Sequence, residues 1–360
     1  MVGIQGLAAG RLDTAVIQTE TPAPLVSVVM SCFNASRWLA EAIDSVLAQT
    51  FQDFEFIVVD DGSMDATPGI IQGYADVDSR VVVISKPNTG LADSLNVGIA
   101  RARGSWIARM DADDVSEPTR LQRQVAHAKA NPALGFIGTG LTEIDSAGHR
   151  VATHVYPPAH SQLLRRLLSG RAFPPHSSAF YRTDLVSSVG GYRPRIRRAQ
   201  DWDLWLRLSE KTQLACLETP LVRIRKHTSQ ISHYQAGRRQ QIDSRIAMAS
   251  YFLRAMGCPD PVDADEATFD AFDRWMAAQL QADGLFALYD SRHRLRAALQ
   301  QRGTAFSRLV AVAAVVREHP ALLPRLLRDG LPGAPLARRL AQQWVKTHPN
   351  DPSREEALLD

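Results

Sequence analysis

Three carboxylates stand within four positions as Asp111, Asp113 and Asp114, at the end of the apolar run SWIARM. Charge that dense repels itself unless something positive is held beside it. Hard divalent cations take oxygen ligands, and Mg²⁺ or Mn²⁺ in phosphate sites is commonly held by one or two carboxylates while phosphate and water complete the shell. On extended backbone the first and third side chains of Asp-x-Asp leave on one side, and a turn after Asp113 brings Asp114 round. The same residues could instead form a solvated turn in which Asp114 or Ser116 caps the next helix. Two more acidic pairs invite the same question. Asp60 and Asp61 end the run FEFIVV ahead of Gly62, and Asp201 and Asp203 open the amphipathic stretch QDWDLWLRL. A carboxylate at a helix start can serve as a general base, or it can simply favour the helix dipole.

The elements that would carry these groups follow from periodicity. VSVVM, FEFIVV, RVVVI and SWIARM are β-branched or continuous apolar runs. Between them lie SRWLAEAIDSVLAQT, with Trp38, Leu39, Ala42, Ile43, Val46 and Leu47 on one helical face, then ATPGIIQGYA, with Thr67 as N-cap and Pro68 at the first position, and LADSLNVGIARA. Strands alternating with helices predict an α/β fold, a mostly parallel sheet covered on both faces. Ligands of such sheets bind beyond the carboxyl ends of the strands. Asp60/Asp61 and Asp111/Asp113/Asp114 are predicted to meet there. PTRLQRQVAHAKA reads as a further helix, and LGFIGTGLTEIDSAGHR as an antiparallel pair turning near Ser146 to Gly148. In QDWDLWLRL, Leu204, Trp205 and Leu208 are expected in the core, with Trp202 toward the cleft. Beyond His233 the composition shifts to Arg, Ala, Leu and Gln in helical patterns. The expected organisation is a loose N-terminus over 1–24, an α/β domain over 25–234 and a helical region over 235–360.

Composition narrows the function classes. The 360 residues are 45% hydrophobic and 22% charged, and 41 basic against 38 acidic residues leave a net +3, so charge alone gives nucleic-acid binding little support. Three separated cysteines, Cys32, Cys216 and Cys258, indicate neither a disulfide framework nor a thiolate zinc site, and fit a reducing cytoplasm. No secretory signal is read at the start, and LVAVAAVV at 309–316 is too short to cross a bilayer.

An ordered set of motifs then adds to this reading: VSVVMSCFN, SVLAQTFQDFEFIVVDDGSMDAT, KPNTGLADSLNVGIARARGSWIARMDADD, HSSAFYRTDLVSSVGGYRP, QDWDLWLRL and HTSQIS. From about Val26 to Ser232 the chain resembles the family 2 glycosyltransferases, inverting enzymes with a GT-A fold. The resemblance implies a nucleotide-diphosphate-sugar donor, Mn²⁺ or Mg²⁺, and a glycan or lipid-linked glycan acceptor of bacterial surface polysaccharide type. It assigns Ser31, Phe33 and Asn34 to the loop against the base, with Ser31 and Phe33 in place of the commoner residues. Asp61 is implied to hydrogen-bond the base with Asp60 in support, Asp111 to approach the ribose, and Asp113 to ligate the metal with Asp114 nearby. Asp201 receives the role of catalytic base, with Gln200 where the family usually has Glu. His227 matches the closing motif's metal or diphosphate ligand, Arg225 lies near the phosphates, and His176 lies on the acceptor side. Asn88 and Asn96 belong to the motif beneath the nucleotide, and Gly190 and Gly191 to a turn that carries Tyr192 under the site. The Arg-rich helical tail raises two options, peripheral contact with the inner face of a membrane and simple helical packing. Two rivals stay open, a nucleotidyltransferase, for which the expected phosphate loop is missing from SCFNASRW, and a non-catalytic nucleotide- or glycan-binding module.

Overall fold

The computed structural model describes residues 22–171, 173–227, 237–300 and 333–348. The expectations for 1–21, for the residues of HTSQIS after His227, for the 309–316 run and for the boundary near 235 lie outside the described residues. Four parallel strands form the first half of the sheet: β1 (Val26–Cys32), β2 (Phe54–Asp60), β3 (Val81–Ser85) and β4 (Trp106–Asp111). Every residue of β1 and β2 is buried, as expected of central strands covered on both faces. Alternation along β1 divides the core. Val29 joins Ile57, Val59, Leu95 and Ile99 on one face, while Val28 and Met30 join Leu39, Ile43, Val46, Phe56, Val58, Ile71 and Leu121 on the other.

The helices follow the predicted order: α1 (Leu39–Leu47), α2 (Thr67–Ala75) and α3 (Leu91–Arg101), then, past the short β5 (Val115–Ser116), α4 (Arg120–Ala130). One cap differs from expectation. Helix α2 starts at Thr67, and the Thr67 hydroxyl accepts from the Ala35 amide at 2.8 Å, while the Asp65 carboxylate accepts from the Thr67 amide at 2.9 Å. Aspartate takes over the helix start because threonine is already used to hold the neighbouring loop.

The second half of the sheet is mixed. Strand β6 (Leu134–Ile144) pairs with β7 (Arg150–His154) through the expected turn, and α5 (His160–Leu168) follows. After a short 3₁₀ turn (His176–Ser178) come β8 (Phe180–Arg182), α6 (Thr183–Ser188), α7 (Gln200–Ser209) and β9 (Gln213–Arg225). The sheet order is β3-β2-β1-β4-β8-β6-β9-β5, with β8 antiparallel to both neighbours and β9 parallel to β6. The thirteen-residue β9 is not evident from periodicity, because its middle, Leu217 to Pro220, bulges where it meets β6. Helices α8 (Gly237–Ala255), α9 (Glu266–Ala282), α10 (Leu285–Gln300) and α11 (Ala334–Thr347) build a further apolar cluster around Phe272, Met276 and Trp344. Ala247 and Met248 of α8 reach into the main core, so this helix is packed against the sheet domain. Among the described residues, no helix is long and apolar enough to cross a membrane.

Candidate functional site

Register brings the acidic groups together. Cys32 of β1 lies opposite Asp60 of β2, and Ser31 lies opposite Asp111 of β4, so the carboxyl ends of the parallel strands share one edge. The loops leaving that edge are tied to each other. Asn34, at φ +48°, donates its amide to the Ser63 hydroxyl and accepts from the Met64 amide, both at 2.9 Å, and the Asp60 carboxylate accepts from the Ser63 amide at 3.1 Å. Gly62 adopts φ +76°, and a Cβ there would stand 2.8 Å from the Asn88 amide nitrogen, so only glycine suits the turn. Phe33 presents an exposed ring beside these loops. Asp61 is buried, and its carboxylate takes the Lys86 ammonium and the Thr89 and Gly90 amides, each amide at 2.9 Å. Burial works to raise its pKa, but Lys86 and the two amides outweigh burial and hold the carboxyl below its ordinary range.

At the end of β4 the chain turns sharply and the three carboxylates converge, each offering an oxygen within 4.8 Å of the others. The fully buried Arg109 guanidinium pairs with Asp111 from within the sheet. The Ser177 hydroxyl lies 2.8 Å from Asp111 Oδ2 and 2.5 Å from Asp114 Oδ2. One hydroxyl hydrogen serves one of these oxygens at a time, so the two carboxylates share the Ser177 donor. Burial, then the charges of Asp111 and Asp113, push the Asp114 carboxyl well above its ordinary value. Burial and Asp111 raise Asp113 as well. This is a donor set short of positive charge, and a hard cation would fit it and reverse both shifts.

Strand β9 closes the site from behind. The Arg225 amide donates to Asp114 Oδ1 at 2.9 Å, while its guanidinium bonds the Asp113 carbonyl at 3.0 Å and Glu41 of α1 at 2.6 Å. His227 bonds Asp113 Oδ2 through Nε2 at 2.8 Å and packs against the Trp38 ring with centroids 4.3 Å apart. The mutually close ligand atoms comprise the three carboxylates and not His227.

From the far side come α7 and the 3₁₀ turn. Asp111, Asp113, Asp114, His176 and Asp201 line one cavity of about 230 Å³, together with Gln200, Lys226 and Gln240. Asp201 is partly buried, and within the first turn of α7 its Oδ1 accepts from the Trp202 amide at 2.8 Å. Burial raises its pKa. Gln200 is buried, and its Oε1 has no hydrogen-bond partner among the described residues. Asp203, two positions on, is gripped by Arg193 and Arg207 on the other side of the helix. His176 Nε2 meets the Tyr192 hydroxyl at 2.7 Å, and burial followed by the Arg109 charge holds this imidazole neutral, well below its ordinary pKa. Gly190 and Gly191 form the expected turn, and the Asn96 amide pins Tyr192 through both backbone groups, at 2.7 and 2.8 Å. Trp202 does not line the cavity. It packs between the main core and the helical cluster.

The cavity thus unites Asp111, Asp113, Asp114, His176 and Asp201, with Arg225 and His227 bracing it. Ser31, Phe33, Asn34, Asp60, Asp61 and Asn88 stand along the adjoining edge. Sequence reasoning missed Ser177, Lys86, Trp38 and Arg109. Only the last left a signal, an arginine inside an apolar strand two residues before an aspartate. A larger groove of about 670 Å³ opens at the opposite strand ends beside Trp106, but its one carboxylate, Asp184, is paired with Arg182.

Comparison with known proteins bears on this geometry. The model of glycosyl transferase family 2 matches residues 27–190. EpsE of Bacillus subtilis (strain 168), which bears a glycosyltransferase name, is 38% identical over 192 residues, 52% of this chain and 68% of EpsE. The O-antigen biosynthesis glycosyltransferase WbnJ of Escherichia coli is 29% identical over 234 residues, 64% of this chain and 88% of WbnJ. Among solved structures, S. aureus TarS 1–349 in complex with UDP superposes with a TM-score of 0.53 at 18% identity, over 90% of this chain and 88% of that one. At that identity the likeness concerns the fold, which is GT-A-like.

Proposed function

Since the chain belongs to glycosyl transferase family 2, we propose that it transfers a sugar from a nucleoside-diphosphate donor, UDP favoured, to an acceptor hydroxyl with inversion. The observation that carries this reading is the convergence of Asp111, Asp113, Asp114 and Asp201 on one cavity from elements far apart in sequence. The UDP and UDP-GlcNAc complexes of TarS support the donor class. The name of WbnJ supports an acceptor in surface polysaccharide or lipid-linked glycan synthesis.

In this mechanism Ser31, Phe33, Asn34, Asp60 and Asp61 receive the nucleoside, with Asn88 in the adjoining loop, and Asp111 the ribose. Asp113 and His227 would hold Mn²⁺ or Mg²⁺, with Asp114 and Arg225 in support. When bound, such a cation offsets the negative charge that develops on the departing diphosphate. His227 would serve as a ligand itself or, through its bond to Asp113 Oδ2, would orient that carboxylate. Asp201 takes the proton of the acceptor hydroxyl as its oxygen attacks the anomeric carbon from the face opposite the leaving group. A single displacement needs one such base. Burial makes the Asp201 carboxylate more basic, which favours proton abstraction. Neutral Gln200 beside it adds no second negative charge to raise the Asp201 carboxyl further. His176, held neutral, borders the acceptor side without competing for the proton.

Thermal-shift titration with UDP, GDP, CMP and dTDP, with and without Mn²⁺, tests the donor half of this proposal, because ligand binding to the folded state raises stability by mass action. One nucleoside diphosphate should stabilise the wild type only with metal, and Asp113→Ala should abolish the effect. Absence of any metal-dependent shift refutes it. Slow release of sugar from the donor to water, lost in Asp201→Asn, tests the catalytic half.

A further inference from the structure

His176 meets the acidic cavity at the end of a buried hydrogen-bond chain. Its Nε2 lies 2.7 Å from the Tyr192 hydroxyl, which lies 3.2 Å from the Tyr181 hydroxyl. Both tyrosines are buried and neither lines the cavity, whereas His176 does. Edge contacts with the Tyr192 and Trp205 rings, at centroid separations of 5.5 and 5.8 Å, hold the imidazole plane. The 3₁₀ turn fixes the backbone beneath it, where the Ala179 amide donates to the His176 carbonyl at 3.1 Å.

Counting hydrogens decides the tautomer. Three groups share two hydrogen bonds, and the two hydroxyls each bring one hydrogen. If Nε2 were the donor to Tyr192, only one bond would remain for two hydroxyl hydrogens, and one would be stranded with no acceptor among the described residues. If Tyr181 donates to Tyr192 and Tyr192 donates to Nε2, both are used. A buried donor without an acceptor costs more than a typical hydrogen bond contributes, so the second arrangement holds. The imidazole, kept neutral by burial and the Arg109 charge, then carries its single hydrogen on Nδ1, for which the described residues offer no acceptor. With Nε2 occupied and Nδ1 protonated, His176 has no free lone pair for a cation or a proton. It is a fixed, uncharged donor in a cavity whose other walls hold Asp111, Asp113, Asp114 and Asp201. An uncharged donor suits an uncharged hydroxyl.

We propose that the Nδ1–H of His176 donates to a hydroxyl oxygen of a sugar bound in this cavity, borne by the transferred sugar or by the acceptor, and that Tyr181 and Tyr192 are positioning residues that fix its tautomer. Only the sugar, not the tautomer, rests on the transferase reading.

Nitrogen NMR of the full chain labelled with ¹⁵N in histidine tests the tautomer without ligand, and His176→Asn identifies the His176 signals among the ten histidines. Nδ1 should be the protonated nitrogen. Tyr181→Phe keeps the buried ring and frees Tyr192 to donate or accept, so it should give a mixture of tautomers, and Tyr192→Phe supplies a second variant with the same expectation. A hydrogen on Nε2 in the wild type, or an unchanged tautomer in both variants, overturns the proposal. Ligands then locate the hydroxyl. Movement of the Nδ1 signal with UDP-glucose, UDP-galactose or UDP-N-acetylglucosamine and Mn²⁺, beyond that caused by UDP and Mn²⁺, assigns the transferred sugar. Movement with the corresponding methyl glycosides, titrated with and without UDP and Mn²⁺, assigns the acceptor. No movement with either overturns the proposal. Absence of UDP binding fails the donor reading alone, since the tautomer and the glycosides do not need it. Asparagine carries an N–H near the place of Nδ1 and glutamine near that of Nε2. Affinity for the responding sugar should therefore fall about tenfold in His176→Gln and less in His176→Asn, and equal losses would overturn the assignment to Nδ1.

Discussion

Two aspartates two positions apart on α7 should respond to substitution in opposite ways. Asp203 is 1% exposed and accepts from Arg193 Nε at 3.0 Å and from Arg207 Nε and Nη2 at 3.0 and 2.7 Å, with a further contact from Arg193 Nη2. In Asp203→Asn these contacts face a neutral amide. Arg193 keeps Asp260 at 2.8 Å and Asp263 at 3.1 Å, but among the described residues Arg207 is left with the carbonyls of Val189 and Gly191. One buried guanidinium therefore loses its counter-charge, which costs about 3–5 kcal/mol. A chain of this size would show that as a fall in melting temperature of about 4–7 °C. Asp201→Asn removes a carboxylate whose ionisation burial opposes, so it should leave stability within about 1 kcal/mol or raise it, while donor hydrolysis is lost. Urea unfolding followed by circular dichroism, run beside a donor-hydrolysis assay, separates the two. Equal stability of Asp203→Asn and wild type would refute the assignment of Asp203 to the scaffold. Full hydrolysis in Asp201→Asn would remove it as the base.

Other outcomes follow from the same contacts. A Cβ on Gly98 would approach Val29 Cγ1 to 2.5 Å where α3 crosses β1, so Gly98→Ala should destabilise by about 1–3 kcal/mol in urea unfolding. Asp61 has a lowered folded pKa, so its contribution to stability is complete above the unfolded value near 3.8 and is lost as pH falls through the folded value. Lys86→Met weakens that contribution, and acid unfolding monitored by tryptophan fluorescence should begin at higher pH than in the wild type. Because the Asp201 pKa is raised above 3.8 and the base works ionised, donor hydrolysis should climb with pH through a midpoint above 3.8. Gln200→Glu, which adds a like charge beside it, should move that midpoint upward, and an unchanged profile would deny the coupling.

Much of the architecture was legible along the chain because its signals are local. Period-two and continuous apolar runs marked β1 to β4, the helical stripe marked α1, and Asp at the ends of FEFIVV and SWIARM marked the working edge of the sheet. Strand β9 escaped because its bulge at Leu217 to Pro220 breaks the alternation that identifies a strand. Trp202, expected toward the cleft, is drawn instead into the seam between core and helical cluster, which only the packing of α8 creates.

By itself the sequence determined which chemistry was available: carboxylates at parallel strand ends and at a helix start, in an order of motifs that resembles a sugar-transferring family. It could not rank them, since Asp201 and Asp203 share a helix turn and a residue type. Tertiary structure decided that Asp203 answers Arg193 and Arg207 while Asp201 faces the acidic cavity, that Asp61 is bound to Lys86, and that Ser177 bridges Asp111 and Asp114. The physical reason is the same each time. A carboxylate's character depends on the charges and donors within a few ångströms, and for these residues most of them come from distant parts of the chain.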